Sequence, residues 1–551
     1  MKRLVVLAIA LFTIHCRPPQ PPRLPIAPVQ ALALPVPAPP RDPSLVGYIK
    51  LRDPAGTLAR LDESVLRNLA PEGVASLGLR PGEGAGIFLW EPPLLGGFGV
   101  QTLPLAIFLP AAQDSRIVRN LGQLWPALQV VAAGPRGQAT LAGLNPAALE
   151  RARSQGPVMG ELLGAPTPFD GYLYLYLEPL VGKYLPILRA SVGSLGPMFE
   201  QVQRAQAQQG QAPPFTGEQM AGMMGAMLDR LAPLKSFTLG ASQVQGGLEL
   251  GMLIEDKPGT ARAGGPLAVP DLTQFLAPGA MRLQWNVRDF GQWADGYLKI
   301  YAPILASRPE LKTAIDALVA DWRQATRGMN SGQSFSFDKA HGLRMSGLMQ
   351  VDDAAKVLAL VGRMTERFSA GPIHDAYVGL GMDIRIERMP GTRKIKGWPV
   401  ARYAYHVKMT KPPKDEASRV VLGLFDNLVY EVAQVGPFVL FTMGQPGGPG
   451  APGEIDRLAE DLLHGRGRYP LAARGRYPAG GTLYCDVDVA QALEGVRSFL
   501  PPDQAAKLPT LSGGAGGPVE PVTMFSYDGG DTSYLRVQVP RKLLSLLAGS
   551  K

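Results

Sequence analysis

One local succession constrains this chain more than any other feature. A short alternating strand is followed by a polar or proline-marked turn, and then by an amphipathic helix. In the first copy the strand Val46 to Leu51 (VGYIKL) runs into Asp53-Pro54, which opens a helix to about Leu69. An Asp side chain accepts from first-turn N–H groups, and the fixed φ of Pro suits the first helical position. The strand recurs at Gly171 to Leu177, with Pro179 opening the next helix, and at Met281 to Val287, with Asp289 as cap. A fourth copy is Thr482 to Val487, followed by a helix to about Leu500. The strand ends are too far apart and too irregularly spaced for a solenoid, whose repeats stack at a short fixed period.

Each unit is followed by strands that pair locally as hairpins. Phe237 to Ser242 and Leu248 to Ile254 flank Gly246-Gly247, and Ser334 to Phe337 and Leu343 to Gln350 flank a turn at Gly342. Tyr430 to Val435 and Phe438 to Met443 flank Gly436-Pro437. Local hairpins mixed with helices predict an α+β fold of duplicated modules rather than a doubly wound parallel sheet. The Gly- and Pro-rich run at 259–270 divides the body into halves at 44–258 and 271–551, with a sub-boundary near 445–480. With 65 Gly and 53 Pro the chain is rich in turns, and 46% hydrophobic residues suffice for a core.

The N-terminus speaks to location. Lys2 and Arg3 precede an apolar stretch from Leu4 to Ile14, too short to span a bilayer and of the length of a secretory h-region. Cys16 follows at once. These sixteen residues resemble a bacterial lipoprotein signal, which implies cleavage of 1–15 and a lipid on the Cys16 sulfur. An ordinary secretory signal cut elsewhere is the alternative. From Arg17 to Pro43 there are eleven prolines in 27 residues, the composition of a semi-rigid spacer at 16–43 between anchor and body. The body resembles large secreted bacterial envelope proteins of unknown function, and that resemblance brings no catalytic residues with it.

Familiar catalytic motifs fail on their chemistry. Gly448 to Gly453 matches a dinucleotide-type GxGxxG, but Pro449 and Pro452 remove N–H groups that a pyrophosphate needs. Ser336 and Lys339 match SxxK, but on an alternating strand, where the two side chains do not meet. Two cysteines and five scattered histidines give no zinc or iron–sulfur pattern, so neither a metal nor a cofactor is expected. Cys485 shares a strand face with Leu483 and Val487 and reads as a buried apolar residue. Asp352-Asp353 read as caps of the helix that follows.

Two patterns point to ligands. Thr216 and Gln219 form a capping box, and Met220, Met223, Met224 and Met227 then line one helix face, a flexible surface that suits an apolar ligand. Between Arg385 and Lys414 lie nine basic residues and one acid, on a hairpin turning at Pro390, Gly391 and Gly397. Arg393, Lys394, Lys396, Arg402 and Lys408 are its candidate anion contacts. A second loop, Arg466 to Arg476, carries four arginines and no acid. Clustered cations of this kind attract polyanions, and in the envelope those are anionic lipid or glycan surfaces rather than nucleic acid.

The expectation is therefore an exported protein of the bacterial cell envelope, held to a membrane by a lipid anchor. It acts in non-catalytic binding or scaffolding. A carrier that encloses an amphiphile in an apolar cavity, and a hydrolase with an unrecognised site, stand as alternatives.

Overall fold

In the computed structural model the described residues are 41–59, 72–91, 104–166, 169–208, 216–244, 246–260, 269–379, 381–391, 393–409, 428–445, 453–511 and 519–549, with 21, 24, 26, 37, 40 and 267. Cys16, the remainder of the Pro-rich segment, the far part of the first helix and the Gly-rich runs at 446–452 and 512–518 lie outside them.

The fold is α+β. Strand β1 (Leu45–Leu51) leads into the helix Pro54–Ala59, then β2 (Ala85–Trp90), β3 (Leu105–Leu109), β4 (Gln129–Ala133) and β5 (Ala139–Gly143). After the helices Pro146–Ser154 and Gly156–Gly164, β6 (Gly171–Tyr176) runs into the helix Leu177–Gln208. The helix Gly217–Asp229 follows, and the chain returns as β7 (Leu234–Val244) and β8 (Gly247–Asp256). The second half repeats the scheme. β9 (Met281–Val287) is followed by the helices Phe290–Ala306 and Pro309–Ala325, then β10 (Met329–Asp338) and β11 (Gly342–Val351). Beyond the helices Ala354–Ser369 and Pro372–Gly379 come β12 (Met382–Arg388), β13 (Arg393–Ile395), β14 (Trp398–Met409), β15 (Leu428–Val435) and β16 (Phe438–Gly444). The helices Glu454–Leu463 and Ala472–Arg476 precede β17 (Leu483–Val487), the helix Val489–Phe499, β18 (Val522–Asp528) and β19 (Thr532–Pro540).

All 19 strands among the described residues belong to one antiparallel sheet. Outward from the central pair β8–β19, the first half runs β8-β7-β6-β1-β2-β3-β5-β4. The second half runs β19-β18-β17-β9-β10-β11-β16-β15-β14, with β12 and β13 both paired to β14. The two orders correspond strand for strand until β14, which is the signature of duplicated modules. In each half two strand–helix units join back to back through their leading strands, β1 with β6 and β9 with β17.

Successive residues of β15 and β16 alternate between two cores. Ala433 and Leu440 join Leu272, Phe275, Ile455 and Leu458, while Val432 and Phe441 join Val357 and Leu360. Burial on both faces explains why these strands read as nearly unbroken apolar runs. The first half is closed by an aromatic core of Tyr48, Phe88, Trp90, Tyr172 and Tyr174 that extends to Tyr484 and Phe525.

The local start signals behave as their chemistry requires. Thr216 and Gln219 form the reciprocal capping box, and the side chains of Asp289, Asp353 and Asp488 each accept from the backbone N–H three residues on. Cys485 is buried, and burial pushes its thiol up to about 12.

Candidate functional site

The residue that stands apart in the sheet is Lys50. Strand alternation places Val46, Tyr48 and Lys50 on the interior face of β1, and Lys50 is only 2% exposed. Its cross-strand neighbours are Gly86 on β2 and Tyr172 on β6. Gly86 allows close packing opposite the lysine, because a Cβ there would stand 2.8 Å from Phe88 and 2.9 Å from Leu163. The amine Nζ donates to the carbonyls of Leu162 at 3.1 Å and Ala165 at 2.5 Å. These carbonyls sit at the C-terminal end of the helix Gly156–Gly164, where they lack intrahelical partners and the helix dipole favours a cation. Burial, and then the charge of Arg52, push the Lys50 amine below the ordinary lysine value.

Lys50 opens onto a cleft of about 540 Å³ that Arg52, Glu83, Phe108 and Leu163 also line. Its walls are the end of β1, the Gly82–Gly84 turn and the end of that helix. Asp53 Oδ1 holds the turn by accepting from the N–H of Gly82 at 3.1 Å and of Gly56 at 2.9 Å. Gly84 is needed for close approach, since a Cβ there would lie 3.3 Å from the Leu51 carbonyl. Glu83 is occupied by Arg80 at 2.7 Å. Arg52 is exposed, and its guanidinium joins no ion pair among the described residues. Two cations therefore face one cleft with their neighbouring carboxylate already engaged. Such an arrangement attracts a small anion through charge-assisted hydrogen bonds.

A second cleft of about 410 Å³ lies between the helices Pro309–Ala325 and Pro372–Gly379, lined by Glu310, Ala314, Ala317, Arg367 and Ile373. It is mainly apolar, and Arg367 is held by Asp321 at 3.0 Å. Among the described residues no cluster of His, Cys, Asp and Glu could hold a metal ion, and no helix is long and apolar enough to cross a membrane.

The sequence-predicted cations do not form one patch. Arg393 and Arg402 both contact Glu431, each at 3.0 Å, and Arg393 also pairs with Asp456. Glu431 sits opposite Arg402 on the neighbouring strand β15, beyond the window in which Glu387 is the one acid. Lys394 and Lys396 are exposed at the tip of the β13–β14 hairpin, while Lys408 is exposed further along β14 opposite Asp383. The methionine face is half-buried against neighbouring helices, where Gly222 abuts Pro303 closely enough that a Cβ would stand 2.7 Å away. Met227 alone of the four is exposed, at 52%. Neither cleft is lined by these methionines.

Lys50 had a signal in the sequence that charge counting passes over. In an alternating strand it occupies the same phase as Val46 and Tyr48, the face a strand buries. Comparison of the chain with protein-family models, with curated proteins and with solved structures gives no match.

Proposed function

We propose that this chain is an exported, lipid-anchored, non-catalytic binding protein of the bacterial envelope, and that the Lys50–Arg52 cleft holds a small anionic ligand. The observation that carries the ligand site is a buried ammonium that donates to two carbonyls and pairs with no carboxylate among the described residues, at the wall of an open cleft beside Arg52, whose guanidinium joins no ion pair among them. An ammonium has three N–H donors and two are used, so one remains for a ligand. The signal-like sequence ending at Cys16 supports export and anchoring.

The carrier reading keeps one observation in its favour. Met227, Ile187, Met198 and Val202 expose apolar side chains on the neighbouring helices Gly217–Asp229 and Leu177–Gln208.

Calorimetric titration with inorganic phosphate, acetate and citrate tests the cleft, with a fatty acid as the apolar control. At least one of the three anions should bind the parent protein. Arg52→Gln, an exposed and foldable change, should weaken that binding about tenfold, the worth of one charge-assisted hydrogen bond. Lys50→Met should abolish it. Binding of the fatty acid alone would favour the carrier, and anion binding unaffected by either variant would remove the cleft from the account.

A further inference from the structure

The N-terminal segment, the Arg466–Arg476 loop and the β13–β14 hairpin are all fastened around one core of the second half, at the sheet edge that β13 forms. Leu24 packs against the core of Phe275, Ile395, Ile455 and Leu458, and Ile26 forms a β-bridge with Pro270. The docking point is rigid, because the Pro270 carbonyl accepts from Gln284 Nε2 at 2.9 Å and from Asn330 Nδ2 at 3.2 Å. The arginine loop is fastened beside it. Arg468 N and Tyr469 N donate to the Gln274 carbonyl at 2.8 and 3.0 Å, and Arg474 donates to the Val269 carbonyl at 3.3 Å. Strand β13 closes on the same core through Ile395, and Arg393 ties it to Asp456 in the helix Glu454–Leu463, from whose end Arg466 follows.

Internal pairing consumes part of this charge. Arg393 and Arg402 are held by Glu431, Arg457 by Glu454 and Asp461, and Arg468 by Asp461 at 3.3 Å. Lys394, Lys396 and Arg466 remain exposed, and their side chains join no ion pair among the described residues. Glu460 is the exposed acid on the same helix. Lys396 carries a further sign. It is held at φ 49° at the hairpin tip, followed by Gly397 at φ 91°, a left-handed pair in a two-residue turn. Asn and Gly are the residues suited to that turn, so a lysine there is conformationally costly.

We propose that this side of the protein lies on an anionic lipid bilayer, with Lys394, Lys396 and Arg466 contacting the headgroups. Lipid is the occupant that the tether favours. Leu24 lies eight residue steps beyond Cys16, and a fully extended chain covers at most about 3.5 Å per step, so the docked face stands within roughly 30 Å of an anchored Cys16. A lipid at Cys16 and a cationic patch are the two signals that stable membrane attachment requires. The Pro-rich segment then holds the body down rather than away.

The test uses the chain from Arg17 onward, which keeps every described residue and lacks the anchor, so it does not depend on the Cys16 reading. Sedimentation with vesicles of phosphatidylcholine, with and without phosphatidylglycerol, should show binding only to the anionic vesicles, falling as salt rises. The triple variant Lys394→Gln, Lys396→Gln and Arg466→Gln should bind about a hundredfold more weakly, at roughly fivefold per headgroup contact. The matched variant Lys299→Gln, Lys312→Gln and Lys356→Gln, on helices elsewhere, should bind as the parent does. Tryptic cleavage after Lys394 or Lys396 should be slowed by anionic vesicles. Equal binding to both vesicle types, equal losses in the two triple variants, or retention on an anionic polysaccharide with none on vesicles would each overturn the proposal.

Discussion

Replacing Glu431 by Gln is the sharpest test of how the basic hairpin is held. Glu431 is 2% exposed and stands between two guanidinium groups at 3.0 Å, whose own side chains are 26% and 30% exposed. The Arg402 contact is an ion pair whose alignment falls short of a hydrogen bond, whereas Arg393 Nη1 donates one. At an effective dielectric of about 20, a pair at about 4 Å is worth ~4 kcal/mol before desolvation is counted. Breaking a fully buried pair costs about 3–5 kcal/mol, because the surviving charge stays unpaired. Here both arginines reach water, and Arg393 keeps Asp456, so the loss falls to about 2–3 kcal/mol. Denaturant unfolding of the parent and of Glu431→Gln measures it. Asp316→Asn is the control, removing an exposed helix pair with Lys312 worth at most about 0.5 kcal/mol. Adding Arg402→Met to Glu431→Gln should recover part of the loss, since a buried charge and its unmatched partner then leave together. A Glu431→Gln protein no less stable than the Asp316→Asn control would refute the argument, and Arg393 and Arg402 would return to the list of cations open to external anions.

Two further outcomes follow from the site and the terminus. Burial holds the Lys50 amine below its ordinary value of 10.5, so the unfolded chain binds this proton more tightly. Stability should therefore rise with pH from the folded value towards about 10.5 and decline as pH falls through the folded value. Lys50→Met should remove that slope, and equal slopes in parent and variant by denaturant midpoint would refute the assignment. Cys16→Ser should move the protein from the membrane fraction to the soluble envelope fraction of the producing bacterium. Unchanged fractionation, or an N-terminus that mass spectrometry finds unprocessed in the parent, would count against the anchor.

The modules were legible because their signals are local. Met281–Val287 has the same ends in sequence and structure, Asp289 and Asp353 cap the helices they precede, and the Gly246-Gly247 turn joins the hairpin expected of it. What joins one module to the next leaves no local trace. The β1–β6, β9–β17 and β8–β19 ladders pair residues far apart in sequence, and nothing in GYLYLY names VGYIKL as its neighbour. The same blindness governed the charges. Counting acids between Arg385 and Lys414 cannot register Glu431, whose relevance depends on the β14–β15 register. Composition makes the Pro-rich terminus a spacer, whereas Leu24 and Ile26 within it touch the body. Proline content sets the stiffness of a segment but does not decide whether its few apolar side chains find a core.

The duplication also explains why the Lys50 cleft, and not one of its counterparts, is the candidate site. With Leu51 matched to Val287, Lys50 corresponds to Asn286 and Tyr48 to Gln284, and all four are buried. In the second half Gln284 Nε2 donates to Asn330 Oδ1 at 2.8 Å as well as to the Pro270 carbonyl, and Asn286 Nδ2 donates to the Gly481 carbonyl at 2.7 Å. The fourth module places Asp486 on its leading strand, accepting from Ala472 N and Ala473 N at 2.6 and 2.9 Å. Three of the four leading strands, β1, β9 and β17, thus carry a buried polar residue that pins a neighbouring segment. A satisfied network of this kind fixes one packing arrangement and needs no ligand. The amide network is neutral, and the Asp486 carboxylate has Arg282 at 3.7 Å. Lys50 does the same pinning work on the helix Gly156–Gly164, but with a cation whose charge no carboxylate among the described residues balances and with a cleft at its side. A structural pin alone could be an amide, as it is at Asn286. The charge is what the first half adds, and a bound anion is what that charge would serve.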